Sequence, residues 1–97
     1  MNLLSPPEIC EAMASRLRET RLLANLSQKG LAERAGVSLG TLKRFEHTGQ
    51  ASLEAVVRLA VALGVEDQFE NVFRLPKYKS IDEVIEPRSN RRRGLGR

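Results

Sequence analysis

Apolar residues recur along the chain at helical spacing, and serines and glycines punctuate the runs. Ile9, Met13 and Leu17, with Ala12, Leu22 and Leu23 nearby, predict a first helix that reaches about Ala24. Ser5 is its expected N-cap and Pro6 suits the first helical position, where a missing N–H is not needed. Glu8 completes a capping box. A second, short helix runs from Ser27 through Arg34, with Leu31, Ala32 and Ala35 on its apolar side. Gly36 ends it, because glycine reaches the left-handed conformation freely.

Ser38 opens a third helix, turning Leu42 and Phe45 inward, and Gly49 closes it. Ser52 opens a fourth, in which Leu53, Val56, Val57, Leu59, Ala60 and Leu63 form an apolar face broad enough to predict burial on more than one side. After Gly64 a last short helix is expected from about Glu66 to Phe73, with Phe69, Val72 and Phe73 closing the core. Beyond Arg74 the pattern lapses. Pro76 interrupts the chain, Ser80-Ile81-Asp82-Glu83 offers one or two capped turns, and Pro87 ends them. The closing RSNRRRGLGR has no apolar periodicity and too much charge to fold alone. The expectation is an all-α, compact five-helix bundle over residues 5–73, a linker, dimer or partner segment over 74–87, and a flexible, disordered Arg-rich tail over 88–97.

Composition agrees with this class. The 97 residues suffice for one small core, and apolar residues make up 41% of the chain while aromatics supply only 4%, which suits close helix packing better than a sheet. Charge changes the picture more. The formal net charge is +4, yet residues 1–87 hold eleven Lys and Arg against twelve Asp and Glu. The other five arginines, Arg88, Arg91, Arg92, Arg93 and Arg97, fall in the last ten residues, so the basic pI describes the tail. Nucleic-acid binding by the folded part must therefore be argued from the positions of particular cations.

Candidate chemistry is sparse. The single cysteine, Cys10, excludes an internal disulfide and a Cys-based zinc cage, and reads as a small residue on a helix face. His47 stands alone, without the partners of a metal site or catalytic set, and reads as part of a solvated helix end. No phosphate loop, cofactor motif or nucleophile set appears, so no enzyme is expected. The apolar runs are far shorter than the roughly 20 residues of a membrane span, and the opening MNLLSPPEIC lacks the features of a signal peptide. The cytoplasm is the expected compartment.

A short helix, a tight glycine turn and a second helix is the helix-turn-helix plan, in which the first helix braces and the second enters the major groove of DNA. Ala32 is small where the two helices approach, Gly36 makes the turn, Val37 plugs the space beneath it and Leu42 anchors the second helix. A purely structural helical hairpin would also need a glycine turn.

The stretch LRETRLLANLSQKGLAERAGVSLGTLKRFE, followed by SLEAVVRLAVALGV, resembles the Cro/CI-type (xenobiotic-response-element-like) helix-turn-helix domains of prokaryotic regulators over about residues 15–65. Within it, RFEHTGQASLEAVVRLAVALGV is most similar to HipB-type antitoxins, which repress their own operon and partner a HipA-like kinase toxin. The resemblance implies a five-helix bundle that binds double-stranded operator DNA as a homodimer. It places Gln28 at the position of a phosphate-contacting glutamine, on a helix N-terminus already suited to an anion. It places Ser38, Leu39, Gly40, Thr41, Lys43 and Arg44 around the exposed start of the recognition helix, with Arg44 the first candidate for base readout because a guanidinium can donate twice to guanine O6 and N7, Lys43 for the same or a phosphate, and Thr41 for the backbone or a thymine methyl. Many relatives carry polar base readers where this chain has Leu39 and Gly40, which implies narrow direct readout, with Leu39 against a thymine methyl. Arg21 and Glu46 fall at the positions of a structural salt bridge.

Three readings remain for residues 74–97: a solvated end, a nucleic-acid contact through Arg88 and Arg91 to Arg93, or a protein-binding segment. For the whole protein, an operator-binding repressor competes with a helical adaptor that binds only protein. Lys43 and Arg44 on the presumed groove face favour the repressor, because an adaptor would gain more from an apolar patch. Among repressors, an autoregulating antitoxin is preferred over a stand-alone phage or restriction-control repressor.

Overall fold

A computed structural model describes residues 4–75. Four α-helices follow one another: α1 (Pro6–Leu23), α2 (Gln28–Ala35), α3 (Leu39–Thr48) and α4 (Leu53–Leu63). The described residues contain no strand. Each helix begins on a serine whose hydroxyl accepts an N–H that the first turn would otherwise leave unpaired. Ser5 serves Glu8, Ser27 serves Gly30, Ser38 serves Thr41 and Ser52 serves Ala55. At α1 the arrangement is reciprocal, because Glu8 Oε1 also accepts the Ser5 backbone N–H at 2.8 Å.

α1 packs on α3, and α2 packs on both α3 and α4. Leu31, Leu42 and Leu59 are completely enclosed where these elements meet. Each such side chain contributes about 1.5–3 kcal/mol relative to exposure. Ala14, Ala32, Ala35, Phe45 and Val56 complete the core, with Leu17, Leu26, Val37 and Phe69 packed partly against it.

Three expectations fail in instructive ways. The fifth α-helix is absent among the described residues: a 3₁₀ helix spans Glu66–Phe69, and turns continue to Phe73. Val65 offers no side-chain cap, and successive i→i+3 bonds (Gln68 to Val65, Glu70 to Asp67, Val72 to Phe69) take the place of an α-helical ladder. With three residues per turn, Phe69 and Val72 share a side while Phe73 swings away. Phe69 is half-buried, Val72 is 49% exposed and Phe73 is fully exposed, so the last two do not close the core.

On α1 the inward stripe is Ala14, Leu17 and Arg21, and Ile9, Leu22 and Leu23 are exposed. The face that meets α3 needs a small residue and a cation there, neither of which registers as apolar periodicity. On α4, Ala55, Val56, Leu59 and Ala60 are buried, but Leu53 and Val61 are largely exposed at the outer edge of the broad apolar face. α2, α1 and the 3₁₀ segment all pack against α4, so its apolar face is covered from more than one side and only this outer edge stays open.

Candidate nucleic-acid interface

The turn between α2 and α3 brings the candidate residues together. Gly36 caps α2 with φ +71°, and the Val37 N–H reaches back to the Ala32 carbonyl at 3.1 Å. Val37 then folds against the core and Ser38 starts α3. Leu42 and Phe45 root α3 in the interior, which fixes what its other side presents. Gly40, Lys43, Arg44 and His47 form the exposed stripe, at the three- and four-residue spacing of one helix face.

At the head of α3, the Ser38 hydroxyl accepts the Thr41 N–H at 3.0 Å and lies 2.8 Å from Thr41 Oγ1. Helix geometry leaves the Leu39 and Gly40 N–H groups pointing outward without internal acceptors, and the helix dipole adds partial positive charge there. Leu39 and Thr41 are half-buried and Ser38 is exposed. Lys43 and Arg44 are exposed one turn further on, so the head of α3 combines free amides with two full cations. Lys29, Arg34, Lys43 and Arg44 outnumber Glu33 and Glu46 across α2 and α3. Glu54, Glu66, Asp67 and Glu70 outnumber Arg58 and Arg74 across α4 and the segment after it. A nearly neutral domain is thus basic on its α2–α3 side.

Behind this surface lies a buried polar network. Arg21 Nε and Nη2 donate to the two Glu46 carboxylate oxygens at 2.8 and 3.0 Å, and Arg21 Nη1 donates to the Leu26 carbonyl at 2.9 Å. The side chains of the pair are only 7% and 4% exposed. Gln28 Nε2 donates to Glu46 Oε1 at 2.9 Å, so the glutamine amide is turned toward this network. The start of α2 is therefore tied to α1 and α3 through one carboxylate.

Gln50 was not among the residues singled out from sequence. It lies beyond the end of α3 and its Oε1 accepts from Arg44 Nη2 at 2.7 Å. Ser38, Gly40, Thr41, Arg44, Gln50 and Arg58 line a shallow open cleft of about 700 Å³ between the heads of α3 and α4. Arg58 is held at its rim by Glu54 at 2.9 Å. The Arg44–Gln50 contact carries no local sequence signal, because it depends on the left-handed Gly49 turning the chain back along α3.

Arg88, Arg91, Arg92 and Arg93 lie outside the described residues, as does the segment expected over 76–87. Among the described residues no group of three or more His, Cys, Asp or Glu side chains could hold a metal ion, and no helix is long and apolar enough to cross a membrane.

Two helices joined by a tight left-handed turn, the second rooted in the core with its cationic face outward, define a helix-turn-helix DNA-binding domain. The chain belongs to the helix-turn-helix domain family, whose pattern it matches over residues 12–70. It is also similar to the HTH-type transcriptional regulator PrtR of Pseudomonas aeruginosa, at 37% identity over 60 residues. That alignment takes in 62% of this chain and 22% of the relative, so the chain spans about a fifth of the relative's length.

Proposed function

We propose that this chain is a sequence-specific transcriptional repressor that binds a pseudo-palindromic operator as a homodimer. Its two recognition helices, α3 and its symmetry mate, enter successive major grooves about 34 Å apart. The observation that carries this reading is the exposed Gly40, Lys43, Arg44 and His47 face on a helix anchored by Leu42 and Phe45. A protein-only adaptor would gain more from an apolar patch on this face, whereas DNA phosphates and guanine edges match cations beside free helix amides.

Arg44 reads a base and Lys43 either reads a base or holds a phosphate. Ser38 and Gln28 position the backbone, Thr41 contacts the backbone or a thymine methyl, Leu39 packs on a thymine methyl and Gly40 allows close approach. Selection of binding sites from randomised duplex DNA tests this. Arg44→Ala is expected to relax one base position at a cost of about 1–3 kcal/mol. If affinity and base preference both survive, α3 does not lie in the groove as proposed.

The dimer surface in this reading is the edge formed by Val72, Phe73 and Leu75, which are 49%, 100% and 66% exposed. Apolar side chains exposed together beyond the acidic segment that follows α4 are what a second copy would cover. Arg91 to Arg93 add nonspecific phosphate contacts, so truncation after Pro87 weakens all sequences similarly and flattens the salt dependence.

The finer reading is an autorepressing antitoxin, supported by the likeness of residues 44–65 to HipB-type proteins, with residues 74–87 engaging a HipA-like kinase toxin. Such a protein works in the bacterial cytoplasm, on the nucleoid. The alternative is a stand-alone repressor, and the description of PrtR as a transcriptional regulator fits both readings. Affinity capture from nuclease-treated cells separates the two: a kinase encoded beside this gene supports the antitoxin, and recovery of the homodimer alone supports the repressor.

A further inference from the structure

We infer that Gln50 is a specificity-determining residue of the DNA interface, holding the Arg44 guanidinium in the orientation that reads guanine. The inference rests on the operator-binding reading and adds to it a residue outside the recognition helix. Arg44 leaves α3 exposed on a long, rotatable side chain, and an unrestrained arginine samples many orientations before it meets a base. Here the guanidinium is restrained: Nη2 donates to Gln50 Oε1 at 2.7 Å, and the rest of the fork stays free.

Gln50 is well placed to provide the restraint because its own backbone is pinned. Its N–H donates to Thr48 Oγ1 at 3.1 Å, and that hydroxyl donates to the Arg44 carbonyl at 2.7 Å. The preceding residue, Gly49, is buried with φ +80°, and a Cβ there would lie 2.8 Å from the Cys10 carbonyl carbon in α1. The loop is thus wedged against α1 on one side and bonded to the end of α3 on the other.

Chemistry also settles which way the amide faces. Arginine has no acceptor, so only the amide oxygen of Gln50 can meet it, and Nε2 must point away from the guanidinium. Both residues line the cleft beside Gly40 and Thr41, and the unused N–H groups of the Arg44 fork and of Gln50 Nε2 are the donors the pair can offer there. The guanine major-groove edge, with acceptors at O6 and N7, is the base edge that satisfies such a surface.

The test compares full-length wild type, Gln50→Ala and Gln50→Glu by selection from randomised duplex DNA, followed by titration of the selected site and its single-base variants. Gln50→Ala removes the restraint and is expected to lower the preference for guanine at the Arg44 position by about tenfold, leaving other positions and the nonspecific salt slope unchanged. Gln50→Glu keeps an acceptor for Arg44 and is expected to retain that preference, while its negative charge weakens binding to all sequences.

An unchanged preference in Gln50→Ala, a uniform loss across sequences in that variant, or a preference flattened equally in both variants would each overturn the role. Matching thermal melts exclude misfolding. If wild type itself selects no sequence, the operator reading fails and this inference fails with it. If wild type selects a site and the variants leave its preferences intact, only the role of Gln50 fails.

Discussion

Glu46 receives both an Nε and an Nη donor of Arg21 across twenty-five residues of sequence, joining the recognition helix to α1 inside a surface that water barely reaches. Glu46 also accepts from Gln28, and Arg21 also donates to the Leu26 carbonyl, so both members have polar partners beyond each other. Removing one member leaves the other charge buried and uncompensated. Arg21→Met alone, or Glu46→Leu alone, is expected to cost about 3–5 kcal/mol in denaturant unfolding. The double substitution removes both charges and is expected to recover most of that loss. It falls short of wild type because the Leu26 carbonyl and the Gln28 amide lose a partner. A double variant no more stable than the worse single one would mean that the ion pair is not what holds α1 to α3.

The glycines that close α2 and α3 have the same backbone conformation but different surroundings. Gly36 has φ +71°, and an added Cβ would find only Arg58 Nη1 at 3.5 Å, an ordinary contact with a flexible side chain. Gly36→Ala is therefore expected to lose only the left-handed preference, about 1–2 kcal/mol. At Gly49, with φ +80°, the Cβ would also strike the α1 backbone at 2.8 and 2.9 Å. Gly49→Ala must push α1 and α3 apart, so its melting temperature is expected to fall further than that of Gly36→Ala. Equal losses would show that the loop relaxes without moving α1.

Much of this fold is legible in the chain because the helix boundaries are chemical. A serine hydroxyl starts each of the four helices, and Gly36, Gly49 and Gly64 end three of them, each with a local physical reason that survives any tertiary arrangement. What escaped detection is set by tertiary packing. Ala14 and Arg21 form the buried side of α1, yet a small residue and a cation add nothing to an apolar count. The apolar residues Phe69, Val72 and Phe73 look like a helix face, but no cap at Val65 starts an α-helix, and the left-handed Phe73 ends the turns. The exposed face of α3 could be inferred once Leu42 and Phe45 were assigned inward. Gln50 could not, because its contact with Arg44 exists only after Gly49 has reversed the chain.

The α1 N-terminus carries a pH dependence of known sign. The Ser5 backbone and hydroxyl both hydrogen-bond with Glu8, and these bonds hold its carboxyl below the ordinary value of 4.5. The ionised form is the better acceptor, so folding favours the charged state. The contribution of the capping box is therefore fully present above the unfolded-state value and is lost as pH falls through the lower folded-state value. The protection of the amides of residues 5 and 8, taken relative to their intrinsic exchange, is expected to fall as pH drops through that window in wild type but not in Glu8→Ala, which lacks the carboxyl. An identical pH response in the two proteins would place the titration elsewhere.

Phe73 separates the stability of the single domain from assembly. It is a fully exposed aromatic side chain held at φ +66°, a conformation that costs about 1–2 kcal/mol in an L-residue other than glycine, asparagine or aspartate. Nothing within the domain compensates that cost, since the ring is not packed on it. Phe73→Asn keeps the backbone conformation at lower cost, so the melting temperature of the monomer at high dilution is expected to stay level or rise by a few degrees. If Val72, Phe73 and Leu75 form the dimer edge, the same substitution removes a large apolar contact between copies. Sedimentation equilibrium is then expected to show a dimer dissociation constant at least tenfold higher. A monomer left as stable as wild type, with dimerisation also unaffected, would remove this edge from the proposed interface and leave the strained phenylalanine without an assembly role.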